Sequence, residues 1–134
     1  MSDPKKTSRE VLKGTWQEQH SYSLGVKTAG RTTIYLAGVG AWEDDSGKSL
    51  AGDFDGQVRA CFGQIRRNLE KVGATLDDIA SMTVFITNMK NRPRFIEIRK
   101  EFFTNGFPAS ALIGINELAR PPMIVEIQAV AVID

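Results

Sequence analysis

The apolar residues of the chain follow two spacings, one typical of helices and one typical of strands. In residues 53–72 they recur at steps of four, three, four, four and three, which places them on one face of a long amphipathic helix. These residues are Phe54, Val58, Cys61, Ile65, Leu69 and Val72. Asp53 can cap the start of this helix and Gly73 can end it. A second, shorter helix is predicted over residues 93–103, where Pro93 suits the first turn.

Five other stretches are rich in the β-branched, aromatic and apolar residues that strands favour. They cover residues 21–28, 32–37, 80–87, 111–118 and 123–133. Two strands therefore precede the first helix, one lies between the helices and two follow the second helix. Two helices can cover only one face of a single sheet, so the predicted fold class is α+β, a two-layer sandwich of one mixed β-sheet and two helices.

The last predicted strand is apolar on both of its faces. The face that carries Glu126 and Gln128 also carries Ile124, Val130 and Val132. An apolar sheet face without a helix layer over it predicts self-association. We therefore expect another copy of the chain to cover this face.

The length of 134 residues favours a single domain. Residues 1–19 are polar with only scattered apolar positions, and we interpret this N-terminal segment as a mobile tail whose end joins the fold. The folded domain is then expected to span residues 20–134.

Charge and rare residues exclude several function classes. The net charge is only +1, and no basic stripe interleaved with aromatic residues is present, so nucleic acid is an unexpected partner. No apolar run approaches the ~18 residues of a membrane span, and the N-terminus lacks the hydrophobic stretch of a secretory signal. The single cysteine, Cys61, cannot form an internal disulfide, and together these features predict a cytoplasmic protein. Because His20 and Cys61 are the only residues of their types, no metal or cofactor is expected; we interpret His20 as structural and Cys61 as a core residue.

Two charged residues lie within otherwise apolar patterns. Glu126 stands in the middle of the last strand, and Arg99 borders the apolar face of the second helix, between Phe95 and Phe102. A charge in such surroundings must be paired, hydrated or functional, because burying it unpaired is costly. An ion pair, which could cross a subunit boundary, is the structural alternative to a functional role for each.

The final third of the chain carries two recognisable motifs. It reads F-F-T-N-G-F-P-A-S-A-L-I-G-I-N-E-L-A-R-P-P-M-I-V-E-I-Q-A-V-A-V. Its F-P-A-S and V-E-I-Q-A-V-A motifs, at this spacing, resemble those of the reactive intermediate deaminase family, which is also called Rid, YjgF-like or endoribonuclease L-PSP. The resemblance covers residues 21–132, with a matching order of elements.

The resemblance implies a chorismate-mutase-like fold assembled as a homotrimer, with the sheets around a barrel-like centre and three clefts between subunits. The best-known members of the family hydrolyse reactive enamines and imines to 2-oxo acids and ammonia. In them an Arg of a Pro-Ala-Arg-Ser motif holds the substrate carboxylate and a Glu on the last strand positions water. A Tyr near the first strand lines the cleft, and backbone groups at the end of the second strand contact the ligand.

Carried over to this chain, the resemblance makes Tyr22 the cleft Tyr, Gly38 the backbone contact and Glu126 the water-positioning Glu. The Arg does not carry over, because the motif here is Pro108-Ala109-Ser110-Ala111 and Ser110 stands in its place. A bidentate Arg–carboxylate pair is strong and oriented, and a serine cannot supply it. The substrate is therefore not expected to be a simple 2-imino acid.

The predicted site combines two catalytic residues, Glu126 and Ser110, with several substrate-binding residues. The latter are Tyr22, Gly38, Arg99, Ala109 and Leu112, of which Leu112 replaces a Cys often present in the family. Glu126 would orient water and accept its proton, while Ser110 and backbone groups near Gly38 would donate hydrogen bonds to the developing charge. Arg99 would supply a cation from a new direction.

The predicted function is hydrolysis of an imine or enamine of a small molecule in clefts between subunits. Two other classes stay open. A non-catalytic trimer that binds or senses a small molecule in the same clefts is favoured by the loss of the motif Arg. RNA cleavage, an activity attached to the family's older names, is opposed by the near-neutral charge.

Overall fold

The computed structural model describes residues 8–134. The strands are β1 Ser8–Leu12, β2 Gly25–Ala29, β3 Thr32–Tyr35, β4 Val39–Gly40, β5 Ile79–Ile86, β6 Ala109–Gly114 and β7 Val125–Ile133. The helices are α1 Phe54–Glu70 and α2 Arg92–Arg99. Short 3₁₀ turns lie at Gln17–His20, Leu76–Asp78 and Met89–Asn91.

The main sheet has the strand order β3-β7-β5-β6, with β4 also paired to β7. β5 and β6 run parallel and the other pairs of this sheet are antiparallel, so the sheet is mixed. The two helices pack on one face of it, which confirms the predicted α+β sandwich. None of the helices within residues 8–134 is both long and apolar enough to cross a membrane.

The core lies between the helices and the sheet. Val125, Ile127, Ala129 and Ala131 of β7 are buried there, as the alternation of the last strand predicts. The Phe62 ring of α1 stacks on Phe102 with ring centroids 4.6 Å apart, and it lies close to Phe95 as well. These aromatic contacts hold α2 against α1 and fix the position of its last residue, Arg99.

The ends of α1 follow from the sequence. The Asp53 carboxylate accepts a hydrogen bond from the backbone N–H of Gly56 at 2.9 Å, which caps the first turn. Gly73 has a φ of 77°, the left-handed conformation that follows the last turn of many helices. Both of these sequence-based predictions are confirmed.

A buried amide on α1 holds the two long loops in place. The Gln57 side chain donates to the carbonyl groups of Leu50 (3.0 Å) and Pro122 (2.7 Å), and it accepts from the N–H of Ile124 at 2.9 Å. These loops precede α1 and β7. The start of β7, and with it the position of Glu126, is therefore tied to the core.

The N-terminal strand is a correction to the predicted tail. β1 pairs with β2 in a separate two-stranded antiparallel sheet, and Arg9 Nη1 donates to the carbonyl of Ile79 at 2.9 Å. β1 has few apolar residues, so its pairing with β2 decides its structure rather than any local pattern. Residues 1–7 of the predicted tail lie outside the described residues.

Three predicted elements have different limits in the structure. The first predicted strand, 21–28, begins only at Gly25, because residues 21–24 form an irregular segment. The strand predicted over 111–118 spans Ala109–Gly114, since its pairing with β5 begins at Ala109. The second helix ends at Arg99, before a turn that leads to Asn105 and Gly106.

The sheet face away from the helices carries large apolar side chains. Tyr35 is 80% exposed and lies directly opposite Val130, while Ile113 is 41% exposed and lies opposite Phe85. Cross-strand neighbours point to the same face, so these side chains share one surface with Glu126. We call this surface the open face.

Candidate functional site

Arg99 is a buried charge at the end of α2. It is only 3% exposed, and its guanidinium carbon lies 4.9 Å from the centre of the Phe95 ring one turn earlier. Sequence spacing places Arg99 only at the border of the apolar face. The structure places its side chain between α2, β6 and the segment around Ser21.

The guanidinium is held entirely by neutral groups. Nη1 donates to the hydroxyl of Ser110 at 2.7 Å and approaches the sulfur of Met82 at 3.7 Å. Nε donates to the hydroxyl of Ser21 at 3.1 Å, and Nη2 donates to the carbonyl of His20 at 3.2 Å. The partners orient the guanidinium without neutralising it.

Burial lowers the pKa of Arg99 to about 10, and this effect is partly opposed by the Tyr22 hydroxyl. Arg99 is therefore still a cation at neutral pH. None of the ion pairs within residues 8–134 includes it. Because arginine is almost never fully buried without a partner of opposite charge, this guanidinium is the natural place for an anion.

Ser21 fixes Arg99 and was missed by sequence reasoning. Its φ of 60° is the one positive value that a non-glycine residue adopts within residues 8–134. The buried Ser21 hydroxyl donates to the carbonyl of Ile96 at 2.9 Å and accepts from Nε of Arg99. A single serine in a segment predicted as strand carries no sequence signal for this role.

A cavity of about 200 Å³ opens beside Arg99. Its walls come from one face of α2, from alternate residues of β6 and from the segment before β2. They comprise Arg92, Ile96, Arg99, Ser110, Leu112, His20 and Tyr22. Four of the predicted site residues are thus brought together, namely Tyr22, Arg99, Ser110 and Leu112. Ala109 lines an adjoining cavity of about 350 Å³ that Tyr22 and Ser110 also border.

Glu126 and Gly38 form a second group. A side chain added at Gly38 would bring a Cβ atom within 2.7 Å of Oε2 of Glu126. The missing side chain at Gly38 therefore provides the space that the carboxylate occupies. Glu126 is half-buried, and none of the ion pairs in the described part of the chain includes it.

The two groups lie on opposite faces of the sheet. Ser110 pairs with Met82 of β5, whereas Glu126 pairs with Phe85, three residues further along the same strand. An odd separation along a strand reverses the face, and three residues span about 10 Å. Within one chain, Glu126 therefore points away from the cavity that holds Arg99.

The two rare residues differ in position: Cys61 lies in the core, whereas His20 lies at the candidate cavity. Cys61 is fully buried, which confirms it as a core residue, and burial together with the charge of Glu126 raises the pKa of its thiol to about 12. His20 bonds through Nδ1 to the carbonyl of Trp16 at 3.1 Å, and it is one of the residues that line the cavity. No group of three or more metal-ligating side chains occurs in residues 8–134.

The sequence matches the profile of the endoribonuclease L-PSP family over residues 15–133. The chain belongs to this family. The same family is called Rid or YjgF-like, so the resemblance carried by the F-P-A-S and V-E-I-Q-A-V-A motifs is confirmed.

One of the relatives that this chain resembles is named as an enzyme. The 2-iminobutanoate/2-iminopropanoate deaminase of the mite Dermatophagoides farinae is 28% identical over 113 residues, which is 84% of this chain and 86% of that protein. RidA of an Antarctic Psychrobacter is 25% identical, with a TM-score of 0.70 over 84% of this chain and 89% of RidA. The Rid family protein YyfB of Yersinia pestis has a TM-score of 0.82 over 93% of this chain and 98% of its own, at 22% identity. The last comparison shows the fold alone.

Proposed function

We propose that this protein hydrolyses the C=N bond of a small anionic imine, or its enamine form, in clefts between copies of the chain. The observation that carries the proposal is the buried guanidinium of Arg99 at 2.7 Å from Ser110. Ser110 stands where the resemblance puts the carboxylate-binding Arg. The positive charge is thus supplied to the same region from α2 instead of β6.

The hydrogen bonds of Arg99 support its role as an anion-binding group. Its contacts with Ser21, His20 and Ser110 fix the direction of the guanidinium before any ligand arrives. Such preorganisation lowers the cost of binding, because no side chain has to be ordered at that step. A ligand carboxylate in the cavity beside Arg99 would also compensate the buried charge of the guanidinium.

Glu126 supports the proposal that the cleft lies between two copies. It shares the open face with Tyr35 and Ile113, whose exposure indicates a surface that another copy covers. The Arg99 cavity and the Glu126 carboxylate lie on opposite faces of one sheet. A second copy is therefore needed to bring a carboxylate of this kind to Arg99.

The proposed reaction needs only water, the residues of the Arg99 cavity of one copy and Glu126 of another copy. Glu126 accepts a proton from water while the oxygen forms a bond to the imine carbon and the nitrogen takes up a proton. The resulting carbinolamine loses ammonia as its hydroxyl proton leaves and a C=O bond forms. The products are one carbonyl compound and one ammonia for each water consumed, with no change of oxidation state.

A non-catalytic trimer that binds a small anion is the second candidate. The replacement of the motif Arg by Ser110 favours it, because Arg99 already donates to three protein groups. Under this alternative the same cavity binds its ligand without turnover. The two candidates share Arg99 and differ only in the role of Glu126.

We expect the protein to be a homotrimer in solution, because the open face needs a partner. Three chains of 14.8 kDa give about 44 kDa. Light scattering behind a sizing column at micromolar concentration measures this mass directly. A monomer would contradict the assembly and, with it, a site built from two copies.

We expect at least one anionic imine to be hydrolysed faster than in water alone, with 2-iminobutanoate among the slower substrates. The reason is that the guanidinium approaches from α2 and is partly engaged with Ser110, so a simple 2-imino acid is not held as a motif Arg would hold it. Imines generated in situ from a panel of amino acids, with ammonia release as the readout, test this. If no imine in the panel is accelerated, the binding-only candidate replaces the enzyme.

A further inference from the structure

We infer that the cavity selects ligands with two carboxylates, one bound by Arg99 and the other by Arg92. This inference rests on the proposed function and names the substrate class of the same site. The substrate would be the imine of a short dicarboxylic acid, and its product the matching 2-oxo dicarboxylate. Arg92 is the specificity-determining residue in this assignment.

The spacing of residues along α2 places two arginines on the wall of one cavity. Arg92, Ile96 and Arg99 are spaced by four and three residues, so they share one helical face, and all three line the same cavity. The two arginines are separated by about 10 Å along the helix axis at the level of their Cα atoms. Two cations therefore stand at the two ends of one wall.

The charged residues around the cavity are all positive. The residues that line it include two arginines and no Asp or Glu. Arg59, Arg67 and Arg94 each form an ion pair at the surface, whereas no ion pair within residues 8–134 includes Arg92 or Arg99. Two uncompensated cations in one concave site focus positive potential there, which favours a ligand with two negative charges.

The lining between the two cations is apolar. Ile96 lies between Arg92 and Arg99 on the helix face, and Leu112 of β6 also lines the cavity. Apolar contacts between two anion-binding ends suit a short carbon skeleton. The volume of about 200 Å³ is suited to a small acid.

The test compares two 2-oxo acids as product analogues. Titration calorimetry with the full-length protein should show 2-oxoglutarate binding at least about tenfold more tightly than 2-oxobutanoate, because only the former offers a carboxylate to Arg92. In Arg92→Gln this preference should fall to about threefold or less. Lys100→Gln is the matched control, since it removes one positive charge from the exposed residue that directly follows α2, outside the cavity, and should keep the tenfold preference.

Each result decides the inference separately from the catalytic proposal. Equal affinities in the unmodified protein, a preference that persists in Arg92→Gln, or binding of neither acid would overturn the selection of dicarboxylates. Imine hydrolysis measured in the same preparations tells whether the proposed reaction survives that failure. A retained dicarboxylate preference without any imine hydrolysis would support the inference and remove only the catalytic step.

Discussion

Replacing Arg99 with Met is expected to weaken carboxylate binding and imine turnover at least about 100-fold while the protein still folds. The buried guanidinium has no counter-charge among the described residues, so it costs free energy in the unliganded protein. An apolar side chain of similar length fits beside Phe95 without that cost. We therefore expect the free energy of unfolding to change by less than about 2 kcal/mol, despite the loss of function.

Thermal unfolding and calorimetric titration of Arg99→Met measure the two effects separately. The carboxylate affinity of Arg99→Lys should lie between those of the unmodified protein and Arg99→Met. An ammonium keeps the positive charge but lacks the planar pair of N–H donors that a guanidinium offers. Arg94→Met, on the exposed side of the same helix, is the control and should leave affinity unchanged. Strong destabilisation of Arg99→Met with unchanged affinity below its melting temperature would make Arg99 a structural residue.

Glu126→Gln is expected to lower the rate of turnover at least about 100-fold and to leave the fold and the assembly intact. The amide keeps the shape of the carboxylate in the space beside Gly38 but cannot accept a proton from water. Melting temperature, mass in solution and ammonia release are measured on the same preparation. Glu70→Gln at the exposed end of α1 makes the same chemical change away from the site and should have no effect.

The opposite result for Glu126 has a distinct signature. If Glu126 is half of an ion pair between copies, its loss leaves a buried cation alone at a cost of about 3–5 kcal/mol. The Glu126→Gln protein would then melt early or lose its assembly, with turnover or ligand affinity per folded site unchanged. That combination would assign Glu126 to stability instead of chemistry.

The sequence predicts the parts of this fold that depend on local periodicity. The face of α1, the cap at Asp53, the turn at Gly73 and the alternation of β7 each follow from residues close together in the chain. The F-P-A-S and V-E-I-Q-A-V-A motifs also identify the family, because they are short runs of neighbouring residues that can be read directly from the sequence. These features are short-range, so no knowledge of tertiary packing is needed.

The site depends on contacts that local patterns do not reveal. Arg99 meets Ser21 across 78 positions of sequence, and Ser21 adopts a left-handed conformation as the C-terminal cap of the 3₁₀ turn Gln17–His20. Sequence reasoning names Arg99 as a cation from a new direction, but its direct contact with Ser110 at 2.7 Å is visible only in the structure. The opposite orientations of Ser110 and Glu126 likewise follow only from the register of β5 with β6 and β7.

Mixing the two inactive variants tests most directly whether one site takes Arg99 and Glu126 from different copies. Arg99→Met and Glu126→Gln chains are co-expressed with different tags, and mixed assemblies carrying both are purified and assayed for ammonia release. In a mixed trimer, whichever variant is present twice, one of the three sites combines an intact Arg99 with an intact Glu126 from a neighbour, so turnover should return to about a third of the unmodified value. Mixed assemblies as inactive as either variant alone would contradict a site shared between copies.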